Sequence, residues 1–199
     1  MSQVASQGIA VGAASRPYPG EALNGDAWQI DWHGDRCRIT VIDGLGHGPD
    51  AALAATLARD ALMRAPELLP LDGLRVCHRA LAGTRGAAIS VASIDLAAVQ
   101  LTYAGVGNVM GHLWQDGRRE QLVGYPGIVG AVLPTLRSFS MPLQSQWLIA
   151  IHTDGISARF RFEALEEKHS VDPHRLAEHI LTGWGRSNDD ATVVVARGN

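Results

Sequence analysis

The stretch Asp26-Ala27-Trp28-Gln29-Ile30-Asp31-Trp32-His33-Gly34-Asp35-Arg36-Cys37-Arg38-Ile39-Thr40-Val41-Ile42-Asp43 decides the fold. Two strand-like runs, 26–32 and 36–42, flank a short glycine turn, the pattern of a β-hairpin. With Gly34-Asp35 as a two-residue loop, His33 stands opposite Arg36 and, further out, Asp26 stands opposite Asp43. Strand alternation agrees: Asp26 shares a side with Trp28, Ile30 and Trp32, and Asp43 with Cys37, Ile39 and Val41. An apolar face therefore ends in two carboxylates whose Cβ atoms lie about 4.5–5.5 Å apart. Like charges there repel unless a proton or a cation sits between them. A one-residue slip in the turn would undo this geometry.

Further strand-like runs cover 9–13, 87–95, 99–103, 109–115, 136–141, 147–153 and 191–196. A helical pattern at about 50–64 puts Leu53, Leu57, Ala58, Ala61 and Leu62 on one face. A second helix follows Asp72 as N-cap. A third opens with Asp172-Pro173 and stops at Gly185, and a weaker fourth covers 161–168. Strands in runs, without regular βαβ alternation, call for antiparallel sheets with helices outside them. The reading is α+β, with two sheets.

The second half of the chain also gathers carboxylates. The run 147–153 leads into Asp154-Gly155, and Asp189-Asp190 stands directly before 191–196. If these strands are antiparallel neighbours, their acidic ends meet at one sheet edge. Aspartates at strand ends with no histidine among them form a hard-oxygen site, better suited to Mg²⁺ or Mn²⁺ than to Zn²⁺. Two such ions about 3.5–4 Å apart would activate a bridging water and clamp a phosphoryl group. Asp-Gly is also a common turn dipeptide, so each aspartate alone has a purely structural reading. All of them together favour the metal.

Composition narrows the remaining classes. The chain has 199 residues, with 17 basic and 20 acidic side chains and a formal charge of −3. That balance leaves no sequence-wide basic footprint for nucleic acid or an anionic membrane. Cys37 and Cys77 are too few and too far apart for a disulfide framework or a cysteine zinc site. The N-terminal residues carry neither the basic nor the apolar region of a signal peptide. The expectation is one domain over 1–199, cytoplasmic and monomeric, with no nucleic-acid or membrane partner.

Four motifs carry a resemblance: Glu21-Ala22-Leu23-Asn24-Gly25-Asp26, Ile42-Asp43-Gly44-Leu45-Gly46-His47-Gly48, Thr153-Asp154-Gly155-Ile156 and Asp189-Asp190-Ala191-Thr192. In order and spacing the set resembles PPM-type metal-dependent serine/threonine phosphatases, closest to the bacterial SpoIIE/RsbX branch and its stand-alone RsbX type. The glycine-rich segment from Leu122 to Gly130 adds to the likeness. The resemblance implies an αββα four-layer sandwich of two antiparallel sheets flanked by helices. It implies that Asp26, Asp43, Asp154 and Asp189, with the Gly44 carbonyl, hold two Mn²⁺ or Mg²⁺ ions and carry catalysis, Asp190 being a less strictly ligating neighbour. It further implies hydrolysis of phosphoserine or phosphothreonine by direct attack of a metal-bridging hydroxide, on phosphorylated STAS-domain proteins of the stressosome.

The animal enzymes carry a histidine immediately after this Asp-Gly, where Leu45 stands here. His47, two positions later, reads either as a proton donor or as a turn histidine. Arg16 reads as a phosphate ligand or a surface arginine, and Glu21 as a partner of metal-bound water or a solvating loop residue. Gly105-Val106-Gly107-Asn108 lacks the residues of a phosphate loop and reads as a strand-to-strand turn. The tryptophans read as core. Two rival functions are a non-catalytic scaffold of the same fold that binds a phosphoprotein, and a metal-dependent phosphodiesterase.

Overall fold

The computed structural model describes residues 4–6, 8–157 and 172–198. Its strands begin with β1 (Val4–Ser6), β2 (Ile9–Arg16), β3 (Asp26–His33) and β4 (Arg36–Gly44). The helices α1 (Pro49–Met63) and α2 (Pro70–Ala80) follow. Next come β5 (Ala87–Asp95), β6 (Gln100–Val106), β7 (Met110–Gln115), β8 (Arg118–Leu122), β9 (Phe139–Pro142) and β10 (Trp147–His152). The helix α3 (Pro173–Trp184) and the strand β11 (Ala191–Gly198) complete the order.

Two sheets form, ordered β1-β2-β11-β10-β7-β8 and β3-β4-β5-β6-β9, and every strand pairing is antiparallel. Alternation along the strands gives each sheet two faces to bury. The inner faces meet in a core that joins Ile39 and Val41 of β4 to Ile149 and Ile151 of β10. On the outer face of the five-stranded sheet, Ile42 and Ile89 pack under Ala58, Leu62 and Leu74 of α1 and α2. On the outer face of the other sheet, Val193 and Val195 pack under Leu176 and Ile180 of α3. The result is the four-layer α+β sandwich.

The decisive hairpin forms in the expected register, with His33 opposite Arg36 and Asp26 opposite Asp43. The third helix also begins as expected: Asp172 accepts from the backbone N–H of His174 at 3.0 Å and Arg175 at 3.2 Å. Other local details differ. The buried ridge of α1 is Ala51, Ala54, Ala55, Ala58 and Leu62, and Leu53 is half exposed. Small side chains let the helix lie close to the sheet, which turns the larger leucine outward. The second helix starts at Pro70, not after Asp72, because proline at its first position is already set for helical φ. Asp72 instead pairs with Arg75 at 2.7 Å within the first turn. Strands β1 and β8 were not expected, and the fourth helix at 161–168 lies outside the described residues. Among the described residues no helix is long and apolar enough to cross a membrane.

Candidate metal centre

The two ends of chain flagged in the sequence meet. β10 and β11 are antiparallel neighbours, with His152 opposite Val193, so Asp154 and Asp189-Asp190 emerge at the same edge. The Thr153 hydroxyl ties that edge to the hairpin of the other sheet. It accepts the Thr192 N–H at 3.0 Å and donates to Asp26 Oδ2 at 2.8 Å. Both Asp-Gly glycines serve close approach, Gly155 within a turn that the Ile156 N–H closes on the Thr153 carbonyl at 3.1 Å. A Cβ on Gly44 would lie 2.2 Å from the Ala51 carbonyl oxygen, and one on Gly155 would overlap the carbonyl of Asp190. Each glycine thus lets a neighbouring backbone press against the carboxylate beside it.

Electrostatics mark the cluster as frustrated. Burial pushes the Asp26 carboxyl up to about 7, the charges of Asp190 and Asp189 adding to the push and the Thr153 hydroxyl opposing it. Asp43 is pushed up to about 9, first by burial and then by the charges of Asp26, Asp154, Asp189 and Asp190. Asp189 is also raised, by burial and then by Asp154 and Asp190. Burial is the larger cause in each case, but the charges that act on Asp43 place Asp26, Asp154 and Asp189 in one neighbourhood with it. Among the described residues, no three such side chains already close around a point where an ion would sit. The donor chemistry nonetheless fits a hard divalent cation: the donors are oxygens, and a cation would relieve the repulsion.

The accessory residues fall into distinct places. Asp190 is buried; its Oδ1 accepts the N–H groups of Tyr18 at 2.8 Å and Gly25 at 3.0 Å, pinning the loop that leads into β3. Its Oδ2 is buried with no hydrogen-bond partner among the described residues. Arg16 donates to the carbonyls of Asp189, at 3.2 Å, and Arg186, so its guanidinium braces the loop before β11. His47 Nδ1 lies 3.2 Å from Glu21 Oε1, and its ring stacks on Tyr18 with centroids 4.4 Å apart. These three join the loops before β3 and after β4.

Like the Thr153–Asp26 bond, the contact that holds Asp154 lies outside the expected site residues. Asn108 Nδ2 donates to Asp154 Oδ2 at 2.7 Å. The turn that presents it is braced by the glycine-rich segment: Gly107 donates to the Tyr125 carbonyl and Tyr125 to the Gly105 carbonyl, both at 2.9 Å. The turn expected at Gly105 to Asn108 is shorter: Gly105 and Val106 end β6, and Gly107 to Val109 connect it to β7. An asparagine at the same sheet edge as Asp154 was the available signal.

Comparison with known structures gives the class first: this is the fold of the PP2C-type phosphatases. RsbX in complex with magnesium superposes with a TM-score of 0.88 at 20% identity, covering 100% of this chain and 99% of the other. The catalytic domain of the serine/threonine phosphatase PstP, with two manganese ions, gives 0.67 at 18% identity, covering 96% and 99%. A chain from work on the bacterial stressosome, described as a modular system adapted to control secondary messenger signalling, gives 0.90 at 31% identity, covering 96% and 100%. No curated protein matches the chain. The family of stage II sporulation protein E (SpoIIE) matches residues 33–199, and the chain belongs to it.

Proposed function

We propose that the protein is a Mn²⁺- or Mg²⁺-dependent phosphoserine/phosphothreonine protein phosphatase acting on phosphorylated STAS-domain proteins of a stressosome. The observation that carries the chemistry is the opposed pair Asp26 and Asp43, both raised by burial and by the carboxylates of Asp189 and Asp190, and Asp43 also by Asp154. Asp26, Asp43, Asp154 and Asp189, with the Gly44 carbonyl, would hold two ions. When bound, the ions supply a more acidic attacking water and neutralise charge on the phosphoryl oxygens. The chain's own part is positioning. Thr153 orients Asp26, Asn108 orients Asp154, and Asp190 fixes the loop ahead of Asp26. His47, held by Glu21 and Tyr18, is the candidate for returning a proton to the departing serine or threonine oxygen. The substrate assignment is supported by the 31%-identical stressosome chain.

The substrate reading is tested by phosphate release from a phosphoserine STAS-domain protein with Mn²⁺, with Mg²⁺ and with chelator. Metal-dependent release that exceeds release from an unrelated phosphopeptide is expected. Equal rates on both would remove the stressosome assignment and leave the phosphatase.

Asn108→Ala tests the positioning of Asp154. Loss of a hydrogen bond that orients a metal ligand typically costs about 10–100-fold in metal affinity or activity. Calorimetric titration with Mn²⁺ should show weakening in that range with the melting temperature of the chelated protein little changed. Unaltered affinity would make the Asn108–Asp154 contact incidental.

A further inference from the structure

The open edge of the five-stranded sheet runs straight into the candidate metal centre. β3 is the outermost strand of that sheet. Gly44 donates its N–H to the Gly25 carbonyl at 3.0 Å, which sets the phase of the ladder. Odd-numbered residues of β3 therefore exchange bonds with β4, and the N–H and C=O of Asp26, Trp28, Ile30 and Trp32 point away from it. Two of these outward groups are met locally: Asn24 Oδ1 accepts the Asp26 N–H at 2.9 Å, and Gln29 Nε2 donates to the Ile30 carbonyl at 3.1 Å. Among the described residues nothing pairs with the outward N–H and C=O of Trp28. A cavity of about 580 Å³ follows this edge, lined by Asp26 to Ile30 in unbroken succession and by Arg59 and Met63 of α1.

We infer that this groove takes an extended segment of the phosphoprotein substrate, added to β3 as a further strand with the phosphorylated residue at the Asp26 end. The inference rests on the phosphatase reading and names what lies beside the phosphate. The occupant follows from continuity, because Asp26 belongs both to the carboxylate pair and to the groove. An open strand edge recognises extended backbone through its main-chain groups and side chains through the pockets beside it. From Asp26 to Ile30 the strand rises about 13 Å, room for about four substrate residues. Met63, half exposed, offers an apolar wall. Arg59 is the cation among the lining residues; its guanidinium rests on Asp60 at 3.3 Å and is partly exposed, so an acidic substrate side chain can take over that contact. A small phosphomonoester has nothing to place in the groove and is blind to it.

The test is steady-state kinetics of the full chain with Mn²⁺ on p-nitrophenyl phosphate and on a phosphoserine peptide of about ten residues carrying a nearby aspartate. Arg59→Glu and Met63→Glu should each lower kcat/KM on the peptide by about tenfold or more and leave the small ester within about twofold. With the wild-type protein, N-methylation of one alternate set of peptide amides should cost a similar factor, and methylation of the other set should cost little. If a variant loses the small ester as well, the methylated peptides on wild type decide. Peptide kinetics indifferent to both variants and to methylation, with the small ester still turned over, would overturn the groove and leave the phosphatase standing. No turnover of either substrate by wild type would overturn both.

Discussion

Asp43→Asn is expected to remove metal-dependent turnover, a fall of about 100- to 1000-fold or more in kcat/KM, and at the same time to stabilise the chelated protein. The two effects have one cause. Without a cation, burial and neighbouring carboxylates hold Asp43 at about 9 and Asp26 at about 7. In the unfolded chain an aspartate titrates near 3.9, so the native state is the one that holds on to protons. A raised native pKa contributes stability that is complete below about pH 4 and is lost as pH rises through about 7 towards 9. The melting temperature of wild type in chelator should therefore fall across that range. Asparagine cannot ionise, so the variant should fall less and exceed wild type at pH 8 by about 2 kcal/mol or more, roughly 5 °C. Calorimetric scans in chelator between about pH 5 and 9 check this. A variant that melts below wild type at the alkaline end would show that Asp43 stabilises the fold and does not strain it.

Arg38→Ala is expected to have the largest effect on stability, through a contact away from the metal centre. Arg38 is 1% exposed. Its guanidinium donates to Asp31 at 2.6 Å and to the carbonyls of Leu62 at 2.7 Å and Ala65 at 2.8 Å. It thereby neutralises a buried carboxylate and adds a further hydrogen bond to the Leu62 and Ala65 carbonyls, which already accept backbone N–H groups in the turns that follow α1. Removing one partner leaves the other charge buried and unpaired, at a cost of about 3–5 kcal/mol, which lowers the melting temperature by about 10 °C. Asp31→Leu combined with Arg38→Met should recover part of the loss, because an apolar pair leaves no charge stranded. Chemical denaturation of the single and double variants measures both. A single variant within about 1 kcal/mol of wild type would mean that water reaches the pair.

What could be read in the sequence followed from periodicity and from short-range chemistry. Two-residue alternation and a two-residue loop were enough to bring Asp26 opposite Asp43, because a hairpin register is set by its turn. Asp172-Pro173 marked a helix start for an equally local reason. Strand β8 escaped because Arg118 to Gln121 are exposed and show no apolar alternation. Its signal was the turn: Asp116 and Gly117 both have positive φ, and Asp-Gly is the preferred pair for such a hairpin. On the expected face of α1, Ala58 and Leu62 are buried and Leu57 packs beside them, but Leu53 turns outward, because the spacing of leucines cannot reveal that the sheet approaches closely enough to select Ala51, Ala54 and Ala55. In the site, the aspartates were legible as strand ends, whereas Asn108–Asp154 and Thr153–Asp26 join segments 46 and 127 positions apart. The first becomes visible once β7 is known to lie beside β10, and the second only once the two sheets are stacked.

The most direct measurement of metal-dependent phosphomonoesterase chemistry is turnover of p-nitrophenyl phosphate, beside bis-p-nitrophenyl phosphate, with Mn²⁺, with Mg²⁺ and with chelator. Rapid hydrolysis of the monoester that chelation abolishes and added metal restores, with the diester cut slowly, is the expected result. Metal binding with no hydrolysis of either ester, or hydrolysis that favours the diester, would contradict it.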